Sequence, residues 1–291
     1  MNHESSEQAI RNDFAHTVLG RTGVPVYRLG LSASYFPGKK TIYDAFDRGI
    51  NFFFGFGIDF QMTAVLRDIF RKRRSECVLA TGAYNLIWGY PNLRRSLEKR
   101  LRQFKTDYID VFMFLGVMNG KEFPDVAREE MYRFREEGKV RHVGMSCHDR
   151  LFAAEMGAAR ALDVLMIRYN AAHRGAERDI FPRIRQQNPG IVAYTATRWS
   201  YLLRRPSRWP RENPVPTAGQ CYRFVLSHPG VHVCLTAPTN ARQLEDNIRA
   251  LQNGPVSGDE LKFMQDFGDT VYRSKKWFME SKSGRKEKEQ A

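Results

Sequence analysis

Asp59 and His148 are the two side chains whose surroundings in the sequence suit them to move a proton. Asp59 stands between an apolar run, Asn51 to Phe56, and a segment of helical periodicity. As an acid it would need burial to raise its pKa by several units. The other reading makes it the cap or a first-turn carboxylate of the following helix, favoured by the helix dipole. His148 directly follows Ser146-Cys147 and carries the one ring of near-neutral pKa that the strand pattern puts at a site mouth. It could serve as an acid or base, or simply hydrogen-bond a loop carbonyl. His173 and Arg174, after Tyr169-Asn170, could meet an acidic substrate or hold their loop to the next helix. Trp88 and Tyr90, with Trp199, Tyr201 and Trp209, could line an aromatic pocket. No metal-ligand cluster, Walker-type loop or Ser-His-Asp order accompanies them.

These residues must be positioned by an alternation of short apolar runs and amphipathic helices. After a hairpin turning at Arg21-Thr22-Gly23, strands are expected at Arg28–Ser32, Asn51–Phe56, Cys77–Thr81, Tyr108–Leu115, His142–Ser146, Val164–Tyr169, Ile191–Thr195 and Val231–Thr236. Helical spacing follows each strand. Ile42, Ala45, Phe46 and Gly49 share one face, Thr63–Arg73 a second helix, and a third begins near Pro91 with Leu93, Leu97, Leu101 and Phe104. Further helices are expected at Pro124–Glu137, Arg150–Ala161, Ile180–Gln187 and Ala218–Leu226, and around Leu244, Ile248 and Leu251. Eight strand-helix units imply parallel strands, because each crossover returns the chain to the same end. An open doubly wound sheet would need a Gly-rich turn after its first strand, and Gly30-Leu31-Ser32-Ala33-Ser34 does not supply G-x-G-x-x-G. The expected fold is therefore one α/β domain, a parallel (β/α)8 TIM barrel with an N-terminal β-hairpin and a C-terminal helix (Leu261 to Met279). Residues 14–280 form the barrel, residues 1–13 a loosely packed start, and residues 281–291 a basic disordered tail.

Charge and composition narrow the function class. The net charge of +14 suits an anionic partner, either nucleic acid or a phosphorylated cofactor. The arginines are spread along the chain rather than gathered beside aromatics, which argues against nucleic acid. Four widely spaced cysteines without a Cys-x-x-Cys pair suit reduced thiols. The polar start lacks the apolar core of an export signal, and the longest apolar run, Val111 to Met118, is far short of the ~20 residues that cross a bilayer. A soluble, cytoplasmic protein with no membrane partner is expected.

Several stretches, in order and at barrel spacing, are similar to the aldo-keto reductase family over nearly the whole chain. They are GRTGVPVYRLGLS, AFDRGINFF, RRSLEKRLRQFKTDYIDVF, EEGKVRHVGMS, IRYNAAHR, IVAYTATRW, and FVLSHPGVHV with NARQLEDNIRAL. The resemblance implies hydride transfer between a nicotinamide and a carbonyl carbon. In that family a tyrosine, lysine, aspartate and histidine handle the proton and position the carbonyl. Aligned on these words, the aspartate position holds Phe54, the tyrosine Asp59, the lysine Gly82 and the histidine Leu115. Phe54, Phe56, Gly82 and Leu115 are thus expected to make an apolar and roomier floor.

The cofactor half implied by the resemblance is better kept. Ser146 remains of the Ser-Asn pair that holds the nicotinamide amide, while Cys147 replaces the Asn and Met166 stands where a Gln would be. Tyr194 matches the tyrosine that stacks on the nicotinamide, unless it is only a barrel-mouth aromatic. Thr195 to Trp199, with Thr195 and Thr197 as candidate ligands, resembles the loop around the pyrophosphate. Arg242 could pair with a 2′-phosphate or be a solvated first-turn residue, and Asn247 matches an adenine contact. Through Arg242, NADP(H) is the expected cofactor with NAD(H) second, although Gln243 stands where some members carry the phosphate-binding arginine. Three functions follow from this pattern. One is an oxidoreductase acting on a small carbonyl or alcohol with a non-standard active site. Another is an inactive nucleotide- or ligand-binding relative. The third is a non-redox enzyme, performing elimination or isomerisation, with Asp59 or His148 as base.

Overall fold

The computed structural model describes residues 13–55, 58–84 and 91–274. The candidates Phe56, Trp88 and Tyr90, the residues 1–12 of the expected loose start, and the expected tail lie outside the described residues. A short antiparallel hairpin, β1 (His16–Val18) and β2 (Pro25–Tyr27), precedes eight parallel strands. These are β3 (Leu29–Ser32), β4 (Phe52–Phe54), β5 (Val78–Tyr84), β6 (Ile109–Val117), β7 (Val140–Cys147), β8 (Val164–Arg168), β9 (Gly190–Tyr194) and β10 (Val233–Thr236). They close into a barrel in chain order, with β10 pairing back onto β3.

The expected near-continuous apolar runs have a simple cause: each strand is buried on both faces. Phe52, Phe54, Val78, Ala80, Val111, Met113, Val164, Met166, Val192 and Val233 fill the interior. Their alternates, among them Phe53, Leu79, Phe112, Leu165 and Ile191, pack outward against the helices. The hairpin belongs to the N-terminal end, where Leu19 joins the interior cluster and the Arg21 amide donates to Asn188 O at 2.7 Å. Chemistry is therefore left to the other end, where the strands finish.

The helices are α1 (Lys39–Asp47), α2 (Phe60–Arg73), α3 (Leu93–Phe104), α4 (Asp125–Glu136), α5 (Arg150–Ala158), α6 (Ala176–Asp179), α7 (Phe181–Ile184), α8 (Ala218–Ser227), α9 (Ala241–Leu251) and α10 (Gly258–Ser274). Four expectations about the helices need correction. Gly49 lies beyond α1, at φ +91°, in a backbone region that L side chains avoid. Pro91 is not in the first turn of α3: Asn92 is the cap, its side chain accepting from Arg95 N at 2.8 Å. Of the helix expected at Ile180–Gln187 only the single turn α7 forms, started by Pro182, which has no N–H to continue the preceding one-turn α6. The C-terminal helix begins at Gly258, three residues before the expected Leu261, and its expected end at Met279 falls outside the described residues. It packs so closely on the loop after β8 that a Cβ on Gly268 would sit 2.1 Å from Ala171 O. No helix among the described residues is long and apolar enough to cross a membrane.

Candidate active site

At the C-terminal rim of the barrel, strand parity decides which side chains face inward. On β7, Val143 and Met145 point to the helices, so Ser146 turns inward and is 7% exposed. Cys147 turns outward: its thiol lies 3.2 Å from Asp149 O, and burial pushes it up to about 12. Asp149 caps α5 through the amides of Leu151 and Phe152, which fixes the chain just after His148. On β8, Val164 and Met166 are interior, so Arg168 is the next inward residue and the register partner of Tyr194. Tyr194 closes β9, and its hydroxyl lies 3.4 Å from both ring nitrogens of His148. Burial, then the charge of Arg168, lowers the His148 pKa to about 4, so the imidazole is neutral near pH 7.

The loop after β9 is built on unusual backbone. Thr195, Arg198, Trp199 and Ser200 all have positive φ, between 50° and 67°. Such strain persists only where the surroundings enforce it. Here Asn170 Nδ2 donates to Thr195 O at 2.9 Å, and Arg198, 2% exposed, donates from Nη1 to Val271 O of α10 at 2.8 Å. Thr195 Oγ1 donates to the Tyr194 carbonyl at 2.7 Å, and the Thr197 hydroxyl lies 3.5 Å from Ser200 N. Trp199 is exposed, whereas Trp209 packs edge-on against Phe267 of α10, 4.9 Å between centroids, and does not line the barrel mouth.

Across the rim, Arg242 is exposed in the first turn of α9, which Asn240 caps through Gln243 N. Gln243 returns its Oε1 to Thr239 N at 2.8 Å and so braces this loop. Asn247 is 4% exposed and donates from Nδ2 to Thr236 Oγ1, which in turn donates to Tyr222 OH, each at 3.0 Å. One N–H of its amide is thus committed within the fold.

The positions assigned to proton chemistry lie on β4, β5, β6 and the start of α2. Phe54 and Leu115 are 3% and 2% exposed and make this floor apolar. It is not roomier at Gly82. A Cβ there would lie 1.9 Å from Met113 O and 3.1 Å from Leu115 Cγ, so neighbouring backbone occupies the space. Asp59 is 1% exposed at the N-cap position of α2, yet its side chain makes no capping hydrogen bond. It lies in the electrostatic field of Arg100, on α3, and of Tyr84.

Tyr84 and Arg168 were not among the expected site residues. Strand β5 runs past the expected Thr81, and parity with Val78 and Ala80 turns Tyr84 inward, where it packs on the interior cluster beside Tyr194. Burial raises its pKa, Arg100 opposes the rise, and the phenol stays protonated at neutral pH. His173 and Arg174 hold their loop to α10 rather than to the next helix. Arg174 donates to Ala171 O at 2.7 Å and to Asp269 at 2.8 Å, and the His173 ring meets Tyr272 edge-on. Among the described residues no group of three or more His, Cys, Asp or Glu is placed to hold a metal.

The family model described as the Aldo/keto reductase family matches residues 39–208. Among curated proteins, the chain is 26% identical over 298 residues to the uncharacterized oxidoreductase YrpG of Bacillus subtilis (strain 168), covering 81% of this chain and 91% of that protein. It is 22% identical over 261 residues to YqkF of the same organism, also an uncharacterized oxidoreductase, covering 76% and 80%. Among solved structures, the holo form of aldo-keto reductase AKR11C1 from Bacillus halodurans superposes with a TM-score of 0.73 at 18% identity, covering 92% of this chain and 99% of that one. An aldo/keto reductase from Klebsiella pneumoniae, in complex with NADP and acetate, gives 0.69 at 22% identity, covering 87% and 95%.

Proposed function

From the premise that this chain belongs to the aldo/keto reductase family, we propose that it is an NADP(H)-dependent oxidoreductase of small carbonyl compounds or alcohols, with a non-standard proton-transfer group. The observation that carries this reading is the convergence of Ser146, His148, Arg168 and Tyr194 from three adjacent strands on one rim, beside a loop of strained backbone. NADP in the Klebsiella relative supports the choice of nucleotide.

The residues present fit such a cofactor in chemistry. The inward Ser146 hydroxyl suits an amide, the Tyr194 ring suits the nicotinamide face, and the loop from Thr195 to Ser200, with Thr197, suits the pyrophosphate. Exposed Arg242, at the positive end of α9, suits a 2′-phosphate. Asn247 holds the loop through one amide N–H on Thr236, and its second N–H suits the adenine side. When bound, NADPH supplies the hydride for a carbonyl carbon.

The chain's own task is the proton. In this reading Phe54, Asp59, Gly82 and Leu115 replace the family's four proton-handling residues, and Tyr84 gives the proton to the carbonyl oxygen. Tyr84 holds its proton at neutral pH, and Arg100 attracts the phenolate that forms on donation. Asp59 balances Arg100 and is not itself the acid. His148, neutral and beside Tyr194, orients a hydrogen bond at the mouth.

The blocked space at Gly82 favours a second reading, a nucleotide-binding relative without turnover, because no side-chain cation can enter there. Titration with NADPH and NADH, followed by quenching of tryptophan fluorescence, tests the proposal. Saturable micromolar binding, tighter for NADPH, is expected. Failure of both nucleotides to bind overturns it.

A further inference from the structure

A cleft of about 330 Å³ opens beside the barrel mouth. Its inner side is formed by His148 and Arg168, the two residues next to Tyr194, and its outer wall by α6 and by Asp269 and Tyr272 of α10. Four guanidinium groups line it, from Arg150, Arg168, Arg174 and Arg178. Three carboxylates stand against them: Glu177 and Asp269 in the lining, and Asp179 behind it. Asp179 is shared, at 2.6 Å from Arg150 Nε and 2.8 Å from Arg178 Nε, and Asp269 receives Arg174 at 2.8 Å. Glu177 also accepts from Tyr169 OH at 2.7 Å. Four guanidinium groups around one partly enclosed space attract an anion.

A second observation comes from His173, whose ring also lines the cleft. Asn170 Oδ1 accepts from the amides of Ala172 and His173, each at 3.0 Å, while its Nδ2 donates to Thr195 O. That oxygen is therefore an acceptor, and His173 Nδ1, 3.2 Å away, must donate to it. The tautomer follows: Nε2 carries a bare lone pair, and it is buried without a hydrogen-bond partner. Burial, then Arg168, Arg198 and Arg150, lowers the pKa of His173 and keeps this lone pair available. A buried acceptor left unpaired is destabilising, and a ligand's donor would relieve that.

We propose that this cleft binds a small organic anion that also carries a hydroxyl, its acid group on Arg168 and the neighbouring guanidinium groups, its hydroxyl donating to His173 Nε2. A carboxylate and a phosphate monoester share this chemistry. Because the cleft meets the mouth at His148 and Arg168, the anion is the acid end of the carbonyl or alcohol substrate. That last step alone rests on the oxidoreductase reading; the binding site does not.

Calorimetric titration of the cofactor-free protein with glycerate, glycerol phosphate and glycerol tests the site and separates the two acid groups. Saturable binding of at least one of the anions is expected, with none for glycerol. Arg168→Gln and His173→Phe should each weaken binding about tenfold or more, and added salt should weaken it further. Circular dichroism checks that the variants fold, and the wild-type titration stands whether or not they do. If neither anion saturates while NADPH still binds, the anion site is overturned and the oxidoreductase reading survives. Anion binding without any nucleotide binding keeps the site and removes its assignment to a reductase substrate. Affinity unchanged in both folded variants also overturns the proposal.

Discussion

The hydroxyl of Tyr194 lies 3.4 Å from both ring nitrogens of His148, with the two rings edge to face at 6.1 Å. The contact joins the ends of β7 and β9 across β8, and it fixes the plane of the tyrosine ring at the mouth. If that ring face carries the nicotinamide, Tyr194→Ala should weaken NADPH binding about tenfold, the scale of one aromatic stacking contact. Tyr194→Phe keeps the face and should stay within about threefold of wild type. Fluorescence titration of both variants checks this, and equal losses would show that the hydroxyl, not the face, is what matters.

Gly82 is the most constrained position on the floor. A Cβ at 1.9 Å from Met113 O meets backbone, which cannot rotate away as a side-chain tip would. Gly82→Ala should cost at least about 3 kcal/mol, through overpacking and displacement of β5 from β6. Gly82→Lys should not accumulate as folded protein. Chemical denaturation of the alanine variant measures the cost, and a near-neutral value would mean that the strand pair can open.

Acid should loosen the fold before the carboxylates begin to titrate. His232 is 8% exposed, its Nδ1 accepts from Ile191 N at 3.0 Å, and burial takes its pKa from 6.5 to about 4. Its folded value lies below the unfolded one, so the unfolded chain binds the proton first as pH falls. The stability is whole above about pH 6.5 and is lost progressively toward pH 4. His148 adds to this in the same direction. His232 alone should account for roughly 2 kcal/mol between pH 7 and pH 5. His232→Asn offers an amide oxygen for the same bond and does not titrate. Its melting temperature should therefore fall less over that range, and an identical fall would remove His232 from the explanation.

The barrel was legible in the sequence because its strands are apolar on both faces and its helices on one. Errors came where backbone, not patterning, decides. Gly49 ends a helix through its φ, and the helix expected at Ile180–Gln187 is cut to the single turn α7 around Pro182. Ser146 and Tyr194 could be located because strand parity and family wording agree on them. Tyr84 was missed because β5 was expected to stop at Thr81, and counting on by twos from Ala80 would have found it. Arg168 has the same signal, set by Val164 and Met166. The basic cleft had none, since Asp269 and Tyr272 reach it from α10, far along the chain from His148.

The central claim is transfer of hydride, and the most direct measurement follows the hydrogen itself. NADPH bearing deuterium at its transferable position would be incubated with neutral and acid-bearing aldehydes and ketones, and the products examined by mass spectrometry. Deuterium is expected on the carbinol carbon of at least one product, with the rate falling about 100-fold or more in Tyr84→Phe. Tight NADPH binding with no deuterium in any alcohol would contradict the account and leave a nucleotide-binding barrel without turnover.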